Sequence, residues 1–237
     1  MTGSQAGIVF ALTAIVACAA ALAQQPSRPL VIELYTSQGC SSCPPAEALL
    51  GELADRTDVL PLAFHVDYWD DLGWRDRFAL PAAAQQQRWW ATANGLQGVF
   101  TPQLIIDGRR SVVGSDRAAV IAALREPRAT VAVQAALRDG MVQVSVPERS
   151  TTDVYDVYAI AYLPRAETVI PRGENAGRTL TEWNIVRSWR RLGASRGAAE
   201  VFTIAQTALP TDATRVAIVL QDAGRGGIAG ASVVNLR

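Results

Sequence analysis

Two cysteines separated by two residues are the part of this sequence best suited to chemistry. Cys40 and Cys43 lie directly after a short apolar run, residues 30–35, and directly before a helix-like pattern, residues 46–56. Cysteines three apart on the first turn of a helix have Cβ atoms about 5–6 Å apart, close to the span of a disulfide. A helix N-terminus also stabilises a thiolate through its unpaired N–H groups and its dipole. The arrangement therefore favours thiol–disulfide exchange.

Other roles for the pair remain open. CxxC is half of a zinc site, although the sequence contains no second CxxC and no HxxxH. The pair is also compatible with an inert structural disulfide, or with a redox pair that has lost its activity. Paired thiolates suit Cu(I), but methionine clusters are absent and His65 is the only histidine. We therefore expect neither a metal nor another cofactor.

The charge composition excludes several classes of protein. The 237 residues include 22 acidic and 22 basic ones, so nothing indicates a nucleic-acid or anionic-lipid partner. Every basic residue other than the histidine is an arginine. The absence of lysine excludes Schiff-base chemistry and the lysine of phosphate-binding loops.

The N-terminus has the pattern of an export signal. Residues 8–16 are apolar but too few to span a bilayer, and residues 21–23 (Ala-Leu-Ala) match a cleavage site. These features predict a signal peptide over residues 1–23 and a periplasmic or secreted protein, where disulfides persist. Alternatively, Cys18 ends a lipoprotein processing site, and the protein is lipid-anchored there. Membrane contact is expected only in that case.

Residues 29–127 alternate strand-like and helix-like patterns in the order β-α-β-α-β-β-α. The last two strands flank Asp107-Gly108, a favoured hairpin turn. Thr101-Pro102 directly precedes that hairpin. This segment is the first predicted domain.

A second pattern begins after residues 126–128 (Glu-Pro-Arg), which we interpret as a domain boundary. Beyond it the apolar period becomes two, which is typical of strands. Seven strand-like runs follow, at residues 131–137, 141–146, 154–163, 183–192, 201–205, 216–220 and 228–234. They predict a β-sandwich over residues 129–237. Within it, the polar loop at residues 172–178 is an ordinary hairpin turn, a binding loop or a contact with the first domain.

The order of elements, with CxxC between the first strand and helix, resembles the thioredoxin fold. The segments ELYTSQGCSSCPPA, HVDYWDDLGW and TPQLIIDG, and later residues 171–178, are similar to the secreted thioredoxin-like family filed as domain of unknown function 1223. The resemblance implies an α/β thioredoxin-like domain followed by an all-β sandwich-like domain. It also implies a cis peptide at Thr101-Pro102, packed against the CxxC. Gly39 and Pro44 depart from the usual thioredoxin residues at their positions.

The expected function is that of an extracytoplasmic thiol–disulfide oxidoreductase. Cys40, with its sulfur outward, would attack, and Cys43 would resolve the mixed disulfide. Residues expected to line a substrate groove are Thr101, Pro102, Trp69 and Trp74, with Trp89 and Trp90 as further candidates. Glu33 is a candidate to carry protons, or else an edge side chain facing solvent.

The expected partners are protein thiols or disulfides, or a redox partner protein. The alternative is a secreted binding module in which the CxxC is a structural disulfide.

Overall fold

The structure, a computed structural model, describes residues 28–151 and 153–236. The predicted signal peptide and Cys18 lie outside the described residues. The strands are β1 (Leu30–Thr36), β2 (Val59–His65), β3 (Gln103–Ile106), β4 (Arg110–Val113), β5 (Gln134–Arg138), β6 (Met141–Val146), β7 (Tyr155–Val169), β8 (Thr179–Ser195), β9 (Glu200–Ala205), β10 (Arg215–Asp222) and β11 (Ile228–Asn235). The helices are α1 (Pro44–Ala54), α2 (Pro81–Ala93) and α3 (Arg117–Ala123), with a 3-10 turn at Gln206–Ala208. Within these described ranges, no helix is long and apolar enough to cross a membrane.

One mixed sheet of eight strands forms the body of the molecule. Its strand order is β11-β10-β7-β8-β2-β1-β3-β4. β1 and β2 are parallel, β2 meets β8 in parallel through the pair Ala63 and Ile185, and the remaining neighbours are antiparallel. Strands β5, β6 and β9 form a separate antiparallel sheet.

The predicted fold class, an α/β thioredoxin-like domain followed by an all-β sandwich-like domain, is wrong. The runs predicted as sandwich strands are strands, but β7, β8, β10 and β11 extend the same sheet as β1 to β4. The cause is the long hairpin of β7 and β8, whose second strand pairs with β2 across the predicted boundary at residues 126–128. The protein is therefore mostly sheet, with one large mixed sheet in place of two separate folds.

Alternation along the strands divides the interior into three clusters. Ile32 and Leu34 of β1 face α1 and α3, whereas Val31 and Tyr35 face the side covered by α2. A third cluster lies between the three-stranded sheet and β7, β10 and β11. The large sheet is thus covered by α2 on one face, and by α1, α3 and the small sheet on the other.

Candidate redox site

The CxxC segment joins the end of β1 to the start of α1. Cys43 is the N-cap of α1, and Pro44 occupies the first helical position, where its missing N–H removes no helical hydrogen bond. Cys40 and Cys43 are joined by a disulfide, with their Cα atoms 5.4 Å apart. The backbone N–H of Cys43 donates to the carbonyl of Cys40 at 3.2 Å. The helix predicted over residues 46–56 is confirmed, and it begins at Pro44 and ends at Ala54.

Both cysteines are buried. Cys40 is 0 % exposed and Cys43 is 1 % exposed, whereas Ser41 and Ser42 between them are exposed. The Ser42 hydroxyl lies 3.3 Å from Sγ of Cys40. The expectation that the sulfur of Cys40 points outward is therefore wrong for this state of the protein.

Thr101 and Pro102 lie beside the CxxC segment, and the bond between them is cis. The carbonyl of Thr101 accepts a hydrogen bond from the Ser42 hydroxyl at 3.5 Å. Trp69 Nε1 donates to Oγ1 of Thr101 at 2.9 Å, and a Cβ added at Gly39 would meet the Trp69 side chain at 3.1 Å. The structure therefore brings Thr101, Pro102 and Trp69 together next to the disulfide.

Of the other predicted groove residues, Trp74 also contacts the segment before Cys40, where its Nε1 donates to Oε1 of Gln38 at 2.9 Å. Trp90 is buried and donates to the carbonyl of Gly108, and Trp89 packs near Gly226. These two tryptophans of α2 are therefore outside the disulfide's surroundings.

Glu33 lies in the middle of β1 and is buried. By strand alternation its side chain shares the face of Tyr35, on the side of the sheet away from α1. Burial, with a smaller contribution from the Asp107 carboxylate, raises the pKa of Glu33 to about 8. The structure does not bring this carboxyl to the disulfide.

The loop at residues 171–178, which includes the polar loop predicted at residues 172–178, covers the CxxC segment. Asn175 is buried, and its Nδ2 donates to the carbonyls of Gln38 and Cys40, both at 2.9 Å. A carboxylate oxygen of Glu174 accepts from the backbone N–H of Ser41 at 3.2 Å. The loop is the turn of the β7–β8 hairpin, and it also contacts the first segment, so two of its three interpretations are observed together.

Replacing Asn175 with alanine should loosen this cover. The carbonyls of Gln38 and Cys40 would lose their partner, so the free energy of unfolding should fall by about 1–3 kcal/mol. Reduction of the disulfide by dithiothreitol in the folded protein should become faster. The measurements are thermal melting and the rate of thiol appearance.

A control for this loop variant exists in the same chain. Asn94→Ala also removes two side-chain hydrogen bonds to carbonyls, those of Trp90 and Arg225, but at the end of α2. It should lower stability without changing the reduction rate. Equal reduction rates in the two variants would show that the loop does not limit access to the disulfide.

A buried cluster of ionisable groups lies next to Cys43 and to the segment before Cys40. Nδ1 of His65 is 2.7 Å from Oδ2 of Asp76, which also accepts the backbone N–H of Gln38 at 2.8 Å. Nε2 of His65 lies 3.9 Å from a carboxylate oxygen of Glu47. Glu182 accepts hydrogen bonds from the side chains of Gln38 and Thr168. The cluster thus connects the segment before Cys40 with the first turn of α1.

The protonation states of this cluster follow from burial and from its own charges. Burial alone would lower the pKa of His65, but the Asp76 carboxylate, helped by Glu47 and Glu182, raises it to about 9. Burial raises the pKa of Glu47 to about 7, although His65 opposes this, and burial raises that of Glu182. His65 is therefore an imidazolium at neutral pH, while Glu47 exchanges its proton near neutrality.

A cavity of about 410 Å³ opens onto this cluster. Its wall includes Cys43, Glu47, His65 and Glu182, with Trp183 on the apolar side. Neither carboxylate oxygen of Glu47 has a hydrogen bond of good geometry among the described residues, although both are buried. The nearby Thr36 hydroxyl still lowers the pKa of Glu47. Cys40 is not part of this wall.

Sequence reasoning missed Glu47, Asp76 and Glu182. A signal for Glu47 was present, because it follows Cys43 by four residues and so lies one turn further along the same face of α1. Asp76 and Glu182 carry no local signal, since their partners are distant in sequence. Across residues 28–151 and 153–236, no group of histidine, cysteine and acidic side chains has the arrangement of a metal site.

The fold and the site define a mixed-sheet protein with a CxxC disulfide at the start of a helix, beside a buried acid–histidine cluster. The chain belongs to the family described as Protein of unknown function (DUF1223), which matches residues 31–221. The resemblance to domain of unknown function 1223 is therefore confirmed as a family assignment.

Two solved structures are similar to this one. The crystal structure of a protein from Agrobacterium tumefaciens has a TM-score of 0.78 and 28% identity, covering 90% of this chain and 96% of that one. HBP35 of Porphyromonas gingivalis has a TM-score of 0.59 and 14% identity, covering 89% of this chain and 76% of that one. At 14% identity the second likeness concerns the fold alone. No curated protein matches the chain.

Proposed function

We propose that this protein is an extracytoplasmic thiol–disulfide oxidoreductase whose reacting pair is Cys40 and Cys43. The observation that carries the proposal is the disulfide at the N-cap of α1, beside a cavity whose wall holds Glu47 and His65. Exchange interconverts a disulfide with thiolates and thiols, so protons must be given up and taken up near the sulfurs. A carboxyl with a pKa of about 7 next to Cys43 supplies that capacity.

In the proposed reaction with proteins, the thiolate of Cys40 attacks a sulfur of the substrate disulfide. The resulting mixed disulfide is then attacked by Cys43, which releases the substrate as a thiol and restores the Cys40–Cys43 bond. Thr101, Pro102 and Trp69 lie beside the pair and would contact the substrate chain. The loop at residues 171–178 must move aside, because it covers Cys40. The partners are protein thiols or disulfides, or a redox partner protein.

The proposed compartment is the periplasm or the extracellular space, with a lipid anchor at Cys18 as the alternative. The cysteine pair is oxidised, and disulfides persist in such compartments.

A second function is favoured by the burial of both cysteines. In that alternative the disulfide is a structural staple of a secreted binding module, and the loop at residues 171–178 seals it permanently. A staple would hold the end of β1 against the start of α1 without ever being reduced.

A redox titration distinguishes the two. The purified chain is equilibrated with thiol–disulfide buffers of graded potential, and the reduced fraction is read by alkylation and mass. An exchange catalyst should have a potential above about −300 mV, and a structural staple one below it. Cys43→Ser, which cannot form the bond, should show no transition and serves as the control. A potential below that value would exclude the oxidoreductase.

A further inference from the structure

The cavity beside Cys43 has the features of a binding site. Its volume is about 410 Å³, which is within the range of small-molecule pockets. It reaches Cys43 but not Cys40, which lies under the loop at residues 171–178. Cys43 therefore borders the cavity in this closed state, and the cavity offers a small molecule a second approach to the disulfide besides the one that the loop covers.

The polar groups of the cavity wall select a cation. Both oxygens of Glu47 are buried and have no hydrogen bond of good geometry within the described residues, although the Thr36 hydroxyl lies close enough to lower the pKa of Glu47. They therefore keep the capacity to accept from a ligand. Glu182 is a second carboxylate in the wall. An ammonium group offers three donors and a positive charge, which matches unpaired carboxylate oxygens.

The other charges around the cavity do not cancel this preference. His65 faces Glu47 but is paired with Asp76 at 2.7 Å. Arg165 at the wall bonds to Glu167 at 2.5 Å and lies over the ring of Trp183. Each of these two cations therefore already has its own carboxylate, and Glu47 and Glu182 remain as an excess of negative charge.

We infer that this cavity binds a small thiol carrying an ammonium group and brings it to Cys43 for exchange. This inference rests on the proposed function and adds a substrate class to it. The ammonium would lie against Glu47, with Glu182 adding to the negative potential. The thiol end would lie towards Cys43, one helical turn from Glu47.

The reaction balances with two molecules of the aminothiol. The thiolate of the first attacks Sγ of Cys43, a new S–S bond forms, and the electron pair of the broken bond leaves on the thiolate of Cys40. The thiolate of the second attacks the aminothiol sulfur of the mixed disulfide and releases Cys43. Two thiols are oxidised to one disulfide, and the protein disulfide is reduced to two thiols. Each of the two attacking thiols gives up one proton, and the thiolates of Cys40 and Cys43 each take up one, so the protons balance as well.

The test compares three thiols that differ in charge: cysteamine, 2-mercaptoethanol and 3-mercaptopropionate. Each reduces the oxidised full-length chain at about pH 8, above the pKa of Glu47 of about 7. Each rate is divided by the rate with the urea-unfolded chain, which cancels differences in intrinsic reactivity. We expect the normalised rate of cysteamine to exceed that of 3-mercaptopropionate about tenfold, the effect of one charge-assisted hydrogen bond.

Two variants locate the effect. Glu47→Gln should remove most of the preference for cysteamine. Glu52→Gln, an exposed carboxylate of the same helix that pairs with Arg117, should keep it. In Cys40→Ser, cystamine should form a mixed disulfide with Cys43 faster than bis(2-hydroxyethyl) disulfide does, as read by intact mass.

The outcomes separate this inference from the proposed function. Equal normalised rates for the three thiols in the wild-type chain would overturn the aminothiol site but leave the oxidoreductase intact. If neither these thiols nor dithiothreitol reduced the folded chain, both would fall. A preference for cysteamine that survives in Glu47→Gln would also overturn the assignment of the site.

Discussion

Replacing Arg28 with alanine should lower the free energy of unfolding by about 3–5 kcal/mol, because it leaves the buried carboxylate of Asp107 without its partner. The two side chains are 3 % and 6 % exposed, and two N–H groups of Arg28 bond to the two oxygens of Asp107 at 2.7 and 2.5 Å. Arg28 also donates to the carbonyls of Ala129, Ile228 and Ala229. One guanidinium thus connects the start of β1, the β3–β4 hairpin and β11.

A double-mutant cycle measures this coupling by denaturant unfolding. Asp107→Asn suits the partner position because Asp107 has a φ of 51°, a conformation that asparagine also tolerates. The double variant should lose less than the sum of the two single variants, since neither charge is then left unpaired. Arg117→Ala, which breaks an exposed pair with Glu52, is the control and should have a much smaller effect. Additive losses at Arg28 and Asp107 would contradict the coupling.

The start of α1 was predictable from sequence because several local signals coincide there. Pro44 fits only the first turn, and the apolar residues Ala46, Leu49, Leu50 and Leu53 form one buried face. The hairpin at Asp107-Gly108 is also local, although its loop includes residue 109. At Gly108 a positive φ of 65° and the approach of the Gly226 carbonyl both require glycine.

The arrangement of the large sheet was not predictable in the same way. Alternation shows that a segment is a strand, but it does not name the neighbouring strand. The two halves of the sheet join where β2 meets β8, through one pair, Ala63 and Ile185. The pattern of β7 also hides its length, because its last residues include a proline and two charged side chains and most of them are at least partly exposed. The predicted fold class was wrong because the sequence pattern does not contain this long-range information.

The residues of the candidate site also differ in how far the sequence predicts them. The proximity of Cys40, Cys43 and Thr101 was predictable, because each has a recognisable sequence context. Asn175 was not, since the carbonyl of Cys40 to which it donates is 135 residues away in sequence. His65 is the only histidine, but the charge that it carries depends on Asp76, whose contact with it exists only in the folded chain.

The buried titratable groups predict an unusual dependence of stability on pH. Glu33, Glu47 and His65 all have raised pKa values, of about 8, about 7 and about 9, against 4.5, 4.5 and 6.5 as ordinary values. Between about pH 4.5 and 9 the unfolded chain therefore binds fewer protons at these positions than the folded one. Their combined effect is a free energy of unfolding that falls as the pH rises through this window.

Glu33→Gln should remove a large part of this decrease in unfolding free energy with rising pH. The pKa of the Glu33 carboxyl is raised mainly by burial. Its Oε2 has no hydrogen-bond partner among the described residues. Below about pH 4.5 it is protonated in both states and contributes no pH dependence. From there to about pH 8 only the unfolded chain ionises, which disfavours folding by an amount on the order of 4 kcal/mol at the upper end. Glutamine carries no charge in either state, so the variant should lose less stability over this range.

The measurement is the change in unfolding free energy between about pH 5 and pH 8, because an amide also alters local hydrogen bonds and shifts the whole curve. Glu52→Gln, which removes an exposed carboxylate, should follow the wild-type slope. Glu47→Gln should flatten the curve mainly below about pH 7, where its own carboxyl titrates. A Glu33→Gln variant with the slope of the wild type would mean that Glu33 is already ionised in the folded protein at low pH. The cost of burying an ionised Glu33 in the centre of β1 would then be offset by a partner other than the described side chains.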